Sequence, residues 1–283
     1  MYYDSYVNSA IIEMQLRGYS SKTIVSYSKY LRRFLLFTDK PVETLLTEDV
    51  RCFLLFLVNK KLSTSYINSA YSVCQLFFKS VLKKPFSLDD IPRVKSSKKL
   101  PMVLSSSEVF AILNATSNMK HKAILMLAYS AGLRVSEVVH LKVSDIDSAN
   151  MQIFVRSGKG DKDRYTILSR NTLEYLRLYY KSYRPNDWLF FSASDRSRPL
   201  SSRTAQKCFK SSTLKAGVLK PVTIHTLRHS FATHLLIKGT NLFTIKMLLG
   251  HKNIQSTMVY LHLAPSKVLS VISPFDLEVS DFE

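Results

Sequence analysis

A chain of 283 residues with 46% hydrophobic and 22% charged side chains has enough material for a sizeable core and suggests two domains, which excludes a disordered polymer. Its 40 Lys and Arg against 21 Asp and Glu leave a formal charge of +19, an excess that favours nucleic acid or another polyanion as partner. The longest apolar runs, Cys52 to Val58 and Ala123 to Tyr129, fall far short of the ~20 residues that span a bilayer, so no membrane partner is expected.

The first residues, Met1-Tyr-Tyr-Asp-Ser-Tyr, carry neither a basic nor an apolar leader region. Three scattered cysteines, Cys52, Cys74 and Cys208, read as reduced thiols of a cytosolic protein rather than a disulfide frame or zinc site. A cytoplasmic, nucleoid-associated location follows as the expectation.

From the N-terminus to about residue 85 the periodicity predicts four helices. Tyr6, Ala10, Met14 and Arg17 step along the first, and Ser20 caps a second with Ile24, Tyr27, Leu31, Phe34 and Leu35 on one face. Thr47 is expected to cap a third, carrying Val50, Phe53, Leu54 and Leu57. Ser63 opens a fourth, with Ile67, Tyr71, Cys74, Phe77 and Phe78 along its stripe. Aromatic stripes at this spacing fit a core better than a base-stacking platform. The short gaps suggest a small bundle.

Pro85 to Pro92 breaks the periodicity, and Arg93 to Pro101 is basic without an apolar period. Residues 1–92 are therefore expected to form an N-terminal helical domain, residues 93–103 a basic linker and residues 104–283 a second domain. The linker reads equally as a solvated hinge or as a segment laid along a phosphate backbone.

In the second domain Ser105-Ser106-Ser107-Glu108 has a capping-box pattern. Ala123 to Ser130 is apolar on all sides and should be a central buried helix, ended by Gly132, and Ser136 opens another. Val143 to Ile146, Met151 to Val155 and Arg164 to Leu168 read as short strands joined by turns. Helices resume near Thr172, Thr223, Asn241 and Gln255. The expected fold is mainly α, a four-helix N-terminal domain plus a mostly helical C-terminal domain with a small three-stranded antiparallel β-sheet.

The chemistry concentrates late in the chain. His225 and Arg228 lie three apart in His225-Thr226-Leu227-Arg228-His229 and share one face of a helical first turn, where backbone N–H groups also favour an anion. His225 and His229 have the i, i+4 spacing of zinc proteases, but Thr226 stands where those need Glu, so no metal is expected. The plainer alternative is that His225 and His229 are both satisfied polar residues flanking a buried helix. Arg134, in Gly132-Leu-Arg-Val-Ser-Glu137, falls between two helices and pairs either with Glu137 or with a ligand. Two planar guanidinium forks grip both non-bridging oxygens of one phosphate. Lys159, between Gly158 and Gly160, stands at a hairpin tip that is either a solvated turn or a reach into a groove. Tyr260 follows His251 by nine residues. Its phenol, with a pKa near ~10, needs a base and nearby cations to act as a nucleophile.

The ordered set Arg134, Lys159, His225, Arg228, His251 and Tyr260 resembles the tyrosine recombinase (phage integrase) family, especially its compact Xer-type members. Arg17-Gly-Tyr-Ser-Ser-Lys22-Thr23 resembles the family's core-binding domain. The resemblance implies a site-specific DNA recombinase that needs neither metal nor ATP and takes no cofactor. Tyr260 would form a 3′-phosphotyrosyl link, Arg134 and Arg228 would clamp the phosphate, and Lys159 would protonate the leaving 5′-oxygen. His225 would move the tyrosine's proton, His251 would bond the phosphate, and Glu137 would support the site. Lys22, Lys95, Lys98, Lys99, Lys162 and Arg164 are expected DNA contacts.

The implied partners are double-stranded recombination sites and a homotetramer that exchanges its apolar C-terminal tails and works through a Holliday junction. A partner recombinase remains unnamed, as does the choice between chromosome dimer resolution and mobile-element movement. Two rival readings stay open. One is a type IB topoisomerase acting as a monomer, and the other is a DNA-binding protein that keeps the fold without the chemistry.

Overall fold

The computed structural model describes residues 3–86, 91–95, 100–156 and 163–263. The chain divides into two compact units, Met1–Lys98 and Lys99–Glu283.

Four helices build the first unit: α1 (Asp4–Leu16), α2 (Ser21–Thr38), α3 (Thr47–Asn59) and α4 (Thr64–Leu76). Ser20 and Ser63 cap α2 and α4 as expected, their hydroxyls accepting from the Thr23 and Tyr66 amides. Thr47 does not cap α3. The cap position is Leu46, whose N–H donates to the Asp49 carboxylate at 2.8 Å, so an acidic third residue supplies what a capping hydroxyl would. On α1 the buried face is Val7, Ala10 and Met14, which rotates Tyr6 toward the edge.

Past Leu76 the chain widens into a π-helical stretch, Phe77–Leu82, that keeps Phe77 and Phe78 in the core beside Phe34, Phe53 and Tyr71. The aromatic stripes are core. Arg93 and Val94 pack onto this unit, Arg93 4.7 Å over the Tyr71 ring and the Val94 carbonyl accepting from Asn68 Nδ2 at 3.1 Å.

In the second unit Ser105 and Glu108 close the capping box that opens α5 (Ser106–Asn114). The all-apolar run becomes the central helix α6 (Met119–Ser130). It packs against α7 (Val135–Val139), α8 (Arg170–Tyr183), α9 (Ser202–Lys215) and α10 (Ile224–Ile237). Then come α11 (Leu242–Leu249) and α12 (Gln255–Met258).

The sheet runs β1 (Ile146–Asp147), β2 (Gln152–Val155), β3 (Arg164–Ile167), all antiparallel. Ile153 and Val155 face the core while Gln152 and Phe154 alternate away from it. Val143 to Asp145 is not strand. It coils into a 3₁₀ turn because the Asp145 carboxylate accepts the Lys142 N–H at 2.8 Å and also holds Arg156 at 2.7 Å.

Helix α9 has no counterpart in the sequence reading. Its Ser- and Thr-rich sequence buries few apolar groups, Ala205 and Phe209, alongside the polar Ser212 and Thr213. No helix among the described residues is long and apolar enough to cross a membrane.

Candidate active site

Two glycines shape the ground on which the site stands. Gly132, after α6, has φ +62, and a Cβ there would lie 2.4 Å from the Phe231 ring. Gly250, after α11, has φ +64, and a Cβ there would lie 2.7 Å from Arg164 Cδ. Only glycine fits either place, so the α6–α7 and α11–α12 corners can close on α10 and β3.

Arg228, on the first turns of α10, reaches between those corners. Its Nη1 donates to the Gly132 carbonyl at 2.8 Å and its Nη2 to the Leu249 carbonyl at 2.6 Å. The side chain is 1% exposed. A guanidinium has five N–H donors, so these two bonds orient it without exhausting it. Burial first, then the charge of Arg134, lowers its pKa to about 9, which leaves it charged at neutral pH.

Glu137 is the buried counter-charge. Its carboxylate accepts from Arg134 Nη1 at 2.6 Å, from the Arg134 backbone N–H at 2.8 Å, and from both terminal nitrogens of Arg164 at 3.0 and 2.8 Å. Arg228 Nη1 stands 3.7 Å away. Burial works to raise the Glu137 pKa, but the Arg164 guanidinium, the Arg134 amide and the Arg228 charge together pull it down to about 2. One carboxylate against three guanidiniums leaves a positive site.

A cavity of about 690 Å³ opens onto that charge, lined by Arg134, His225, Arg228, His251 and Lys252 among others. A neighbouring cavity of about 780 Å³ shares Arg134 and His225 and adds Lys210. The His251 ring is fixed through Nδ1, 2.9 Å from the Thr257 hydroxyl. Burial, then Arg228, Arg134 and Arg164, pushes its pKa down to about 3. Burial and the same two cavity arginines lower His225 as well. The imidazoles are therefore neutral beside charged guanidiniums, which suits an anion held by arginines and hydrogen-bonded by histidines.

Tyr260 belongs to the apolar cluster of Phe231, Leu236, Ile245 and Leu249 and is 1% exposed. Burial raises its pKa, against the lowering pull of Arg228 and Arg134. Its hydroxyl lies 3.1 Å from Nδ1 of His229, not of His225. His229 is the contact that sequence reading did not assign. The signal was its i+4 spacing from His225, which puts the two rings edge to face at 4.5 Å.

Of the expected DNA contacts, Lys22 and Lys95 are exposed. Arg164 is not one. Its guanidinium turns inward to Glu137 and to the Leu248 carbonyl, the latter at 3.0 Å, and its side chain is 10% exposed. The buried carboxylate needs a partner more than the surface needs another cation. Lys98, Lys99, Lys159 and Lys162 lie outside the described residues, as does the tail from residue 264.

Residues 102–267 match the phage integrase family, and residues 7–88 match the phage integrase N-terminal SAM-like domain. The chain belongs to the phage integrase family. It is a compact enzyme of the tyrosine recombinase type. It is 41% identical to a putative integrase/recombinase, y4qK, of Sinorhizobium fredii, over 94% of this chain and 86% of that protein. It is 35% identical to tyrosine recombinase XerD of Oceanobacillus iheyensis, over 89% of this chain and 91% of that one. The crystal structure of XerH site-specific recombinase bound to a palindromic difH substrate shares the fold, with a TM-score of 0.76. There the identity is 22%, over 91% of this chain and 81% of that one.

Proposed function

We propose that the chain cleaves and rejoins DNA strands at specific sites through a 3′-phosphotyrosyl intermediate on Tyr260. The observation that carries this reading is one cavity lined by Arg134, Arg228, His225 and His251, with Tyr260 beside it through His229. The scissile phosphate sits in that cavity. Arg134 and Arg228 neutralise its non-bridging oxygens and the added charge of the pentacoordinate transition state. His251 donates a hydrogen bond to the phosphate. Lys159 protonates the departing 5′-oxygen, His225 assists the proton transfers, and Glu137 keeps the arginines aligned. The two guanidiniums supply positive charge at the phosphoryl group, and the phosphotyrosine conserves the bond energy needed for rejoining.

By the resemblance to the tyrosine recombinase family, the working assembly is a tetramer on two DNA sites that exchanges strands through a Holliday junction, each tail docking on a neighbour. Lys22, Lys95, Lys98, Lys99 and Lys162 contact DNA, and the protein works in the cytoplasm on the nucleoid. The domains divide as an N-terminal core-binding part and a catalytic part joined near residues 93–103. Its role is either chromosome dimer resolution or movement of a mobile element.

The test uses nicked suicide duplexes enriched from a randomised pool by covalent capture with wild-type protein. Tyr260→Phe should retain DNA and form no adduct. An adduct with the variant would remove Tyr260 from the role. Enrichment without synapsis of two sites would favour a monomeric strand-relaxing enzyme.

A further inference from the structure

The family resemblance assigns the handling of the nucleophile's proton to His225, yet the imidazole that meets the phenol is His229. Its Nδ1 lies 3.1 Å from the Tyr260 hydroxyl across 31 residues of sequence. The two rings are 5.8 Å apart and tilted, and His229 stands edge to face with His225 at 4.5 Å. His225, which lines the cavity, is thus linked through His229 to the Tyr260 hydroxyl.

We propose that His229 is the immediate proton acceptor for Tyr260, holding the phenol through Nδ1 and taking its proton as the phenol oxygen bonds to phosphorus. The proposal rests on the reading of Tyr260 as nucleophile. In the step, the Tyr260 Oη–P bond forms while the Oη proton moves to His229 Nδ1. The P–O5′ bond breaks, and the 5′-oxygen takes a proton from a separate acid, assigned above to Lys159. On rejoining, the 5′-hydroxyl attacks, the P–Oη bond breaks and the imidazolium returns its proton to the phenol oxygen.

The surroundings suit an acceptor. The titratable and charged groups facing His229 are His225 and Arg228 on its own helix, His251 from the α11–α12 corner and Tyr260. Burial, then His225 and Arg228, lowers its pKa to about 4, so it is unprotonated and ready to accept at neutral pH. The imidazolium that forms is balanced by the scissile phosphate, whose negative charge enters the adjoining cavity at the same moment. His225, which lines that cavity, is left free to bond the phosphate or relay the proton onward.

The experiment measures adduct formation on the enriched suicide duplex, at saturating DNA, for wild type, His229→Ala and His229→Asn. Loss of a general base should slow cleavage by roughly 10²–10⁴-fold with DNA retention unchanged. Asn keeps an acceptor oxygen near the Nδ1 position but takes no proton, so it should stay slow. It also serves where the alanine variant fails to fold. The deficit should shrink between about pH 6.5 and about pH 9.5 as hydroxide takes over the phenol's proton. A 5′-bridging phosphorothiolate, whose sulfur leaves without protonation, should not restore the variants.

Rates within about twofold of wild type, rescue by Asn, a deficit constant with pH, or rescue by the phosphorothiolate would each overturn the proposal. An adduct formed by Tyr260→Phe would instead overturn the nucleophile reading beneath it.

Discussion

Arg164 sets both terminal nitrogens against the two carboxylate oxygens of Glu137, at 3.0 and 2.8 Å, and joins the β-sheet to α7, the helix that carries Glu137 and is capped by Arg134. The bidentate fork matters because Glu137 is 6% exposed and would otherwise be costly to bury charged. Its pKa falls from an ordinary 4.5 to about 2, so the folded state binds the proton more weakly than the unfolded chain. The stabilisation is then fully present above the unfolded value and is lost as pH falls through about 2. The shift corresponds to about 3 kcal/mol. Glu137→Gln should lower Tm markedly at neutral pH, and the gap from wild type should close as pH drops from about 5 toward 2. A gap that stays constant across that range would mean that the charge on Glu137 contributes nothing.

The recombinase fold and most of the cavity were legible in the sequence because the signals are local. A capping box, an all-apolar helix and an i, i+3 His–Arg pair depend on neighbours within one turn, and each appears where periodicity put it. What escaped depends on distant partners. Arg164 has the sequence context of a surface cation, and only folding brings Glu137, 27 residues away, to it. His229 meets Tyr260 only after α11 and α12 have turned the chain back. Helix α9 escaped because Ser212 and Thr213 are buried in it as hydrogen-bonded hydroxyls, a pattern that no apolar period reveals.

The glycines at the two corners give a graded test. Alanine at Gly132 meets both a left-handed backbone and a buried Phe231 ring 2.4 Å away. At Gly250 it meets the same backbone and Arg164 Cδ at 2.7 Å, an arginine that cannot retreat without releasing Glu137. Gly217 has φ +68 with nothing within 4 Å, so alanine there adds only backbone strain, roughly 1–3 kcal/mol. Thermal unfolding should place Gly217→Ala nearest wild type, with Gly132→Ala and Gly250→Ala both lower. Equal losses at all three would show that the contacts at the corners are soft.

His251 offers a readout of phosphate binding that needs no DNA. Burial and the charges of Arg228, Arg134 and Arg164 hold its pKa at about 3. An anion in the cavity stabilises the imidazolium, so the pKa should rise when inorganic sulfate is added. Arg134→Gln should raise it too, by removing one of the opposing charges. Histidine ring signals followed by NMR against pH report both shifts. A midpoint unmoved by sulfate would argue that the anion binds elsewhere.

Lys22 tests whether the N-terminal unit tracks phosphates. It stands exposed in the first turn of α2, just after the Ser20 cap, where the free amides of the helix terminus also favour an anion. A lysine that neutralises one phosphate releases about 0.9 counterion equivalents, so Lys22→Ala should flatten the log–log salt dependence of binding by about 0.9. Because a phosphate contact carries no base information, affinity should fall by a similar factor on the captured site and on random duplex. Adduct formation at saturating DNA should stay unchanged, since the cavity of Arg134, Arg228 and His251 belongs to the other unit. An unchanged salt slope would take Lys22 off the DNA, and a loss confined to the captured site would make it a reader of bases instead.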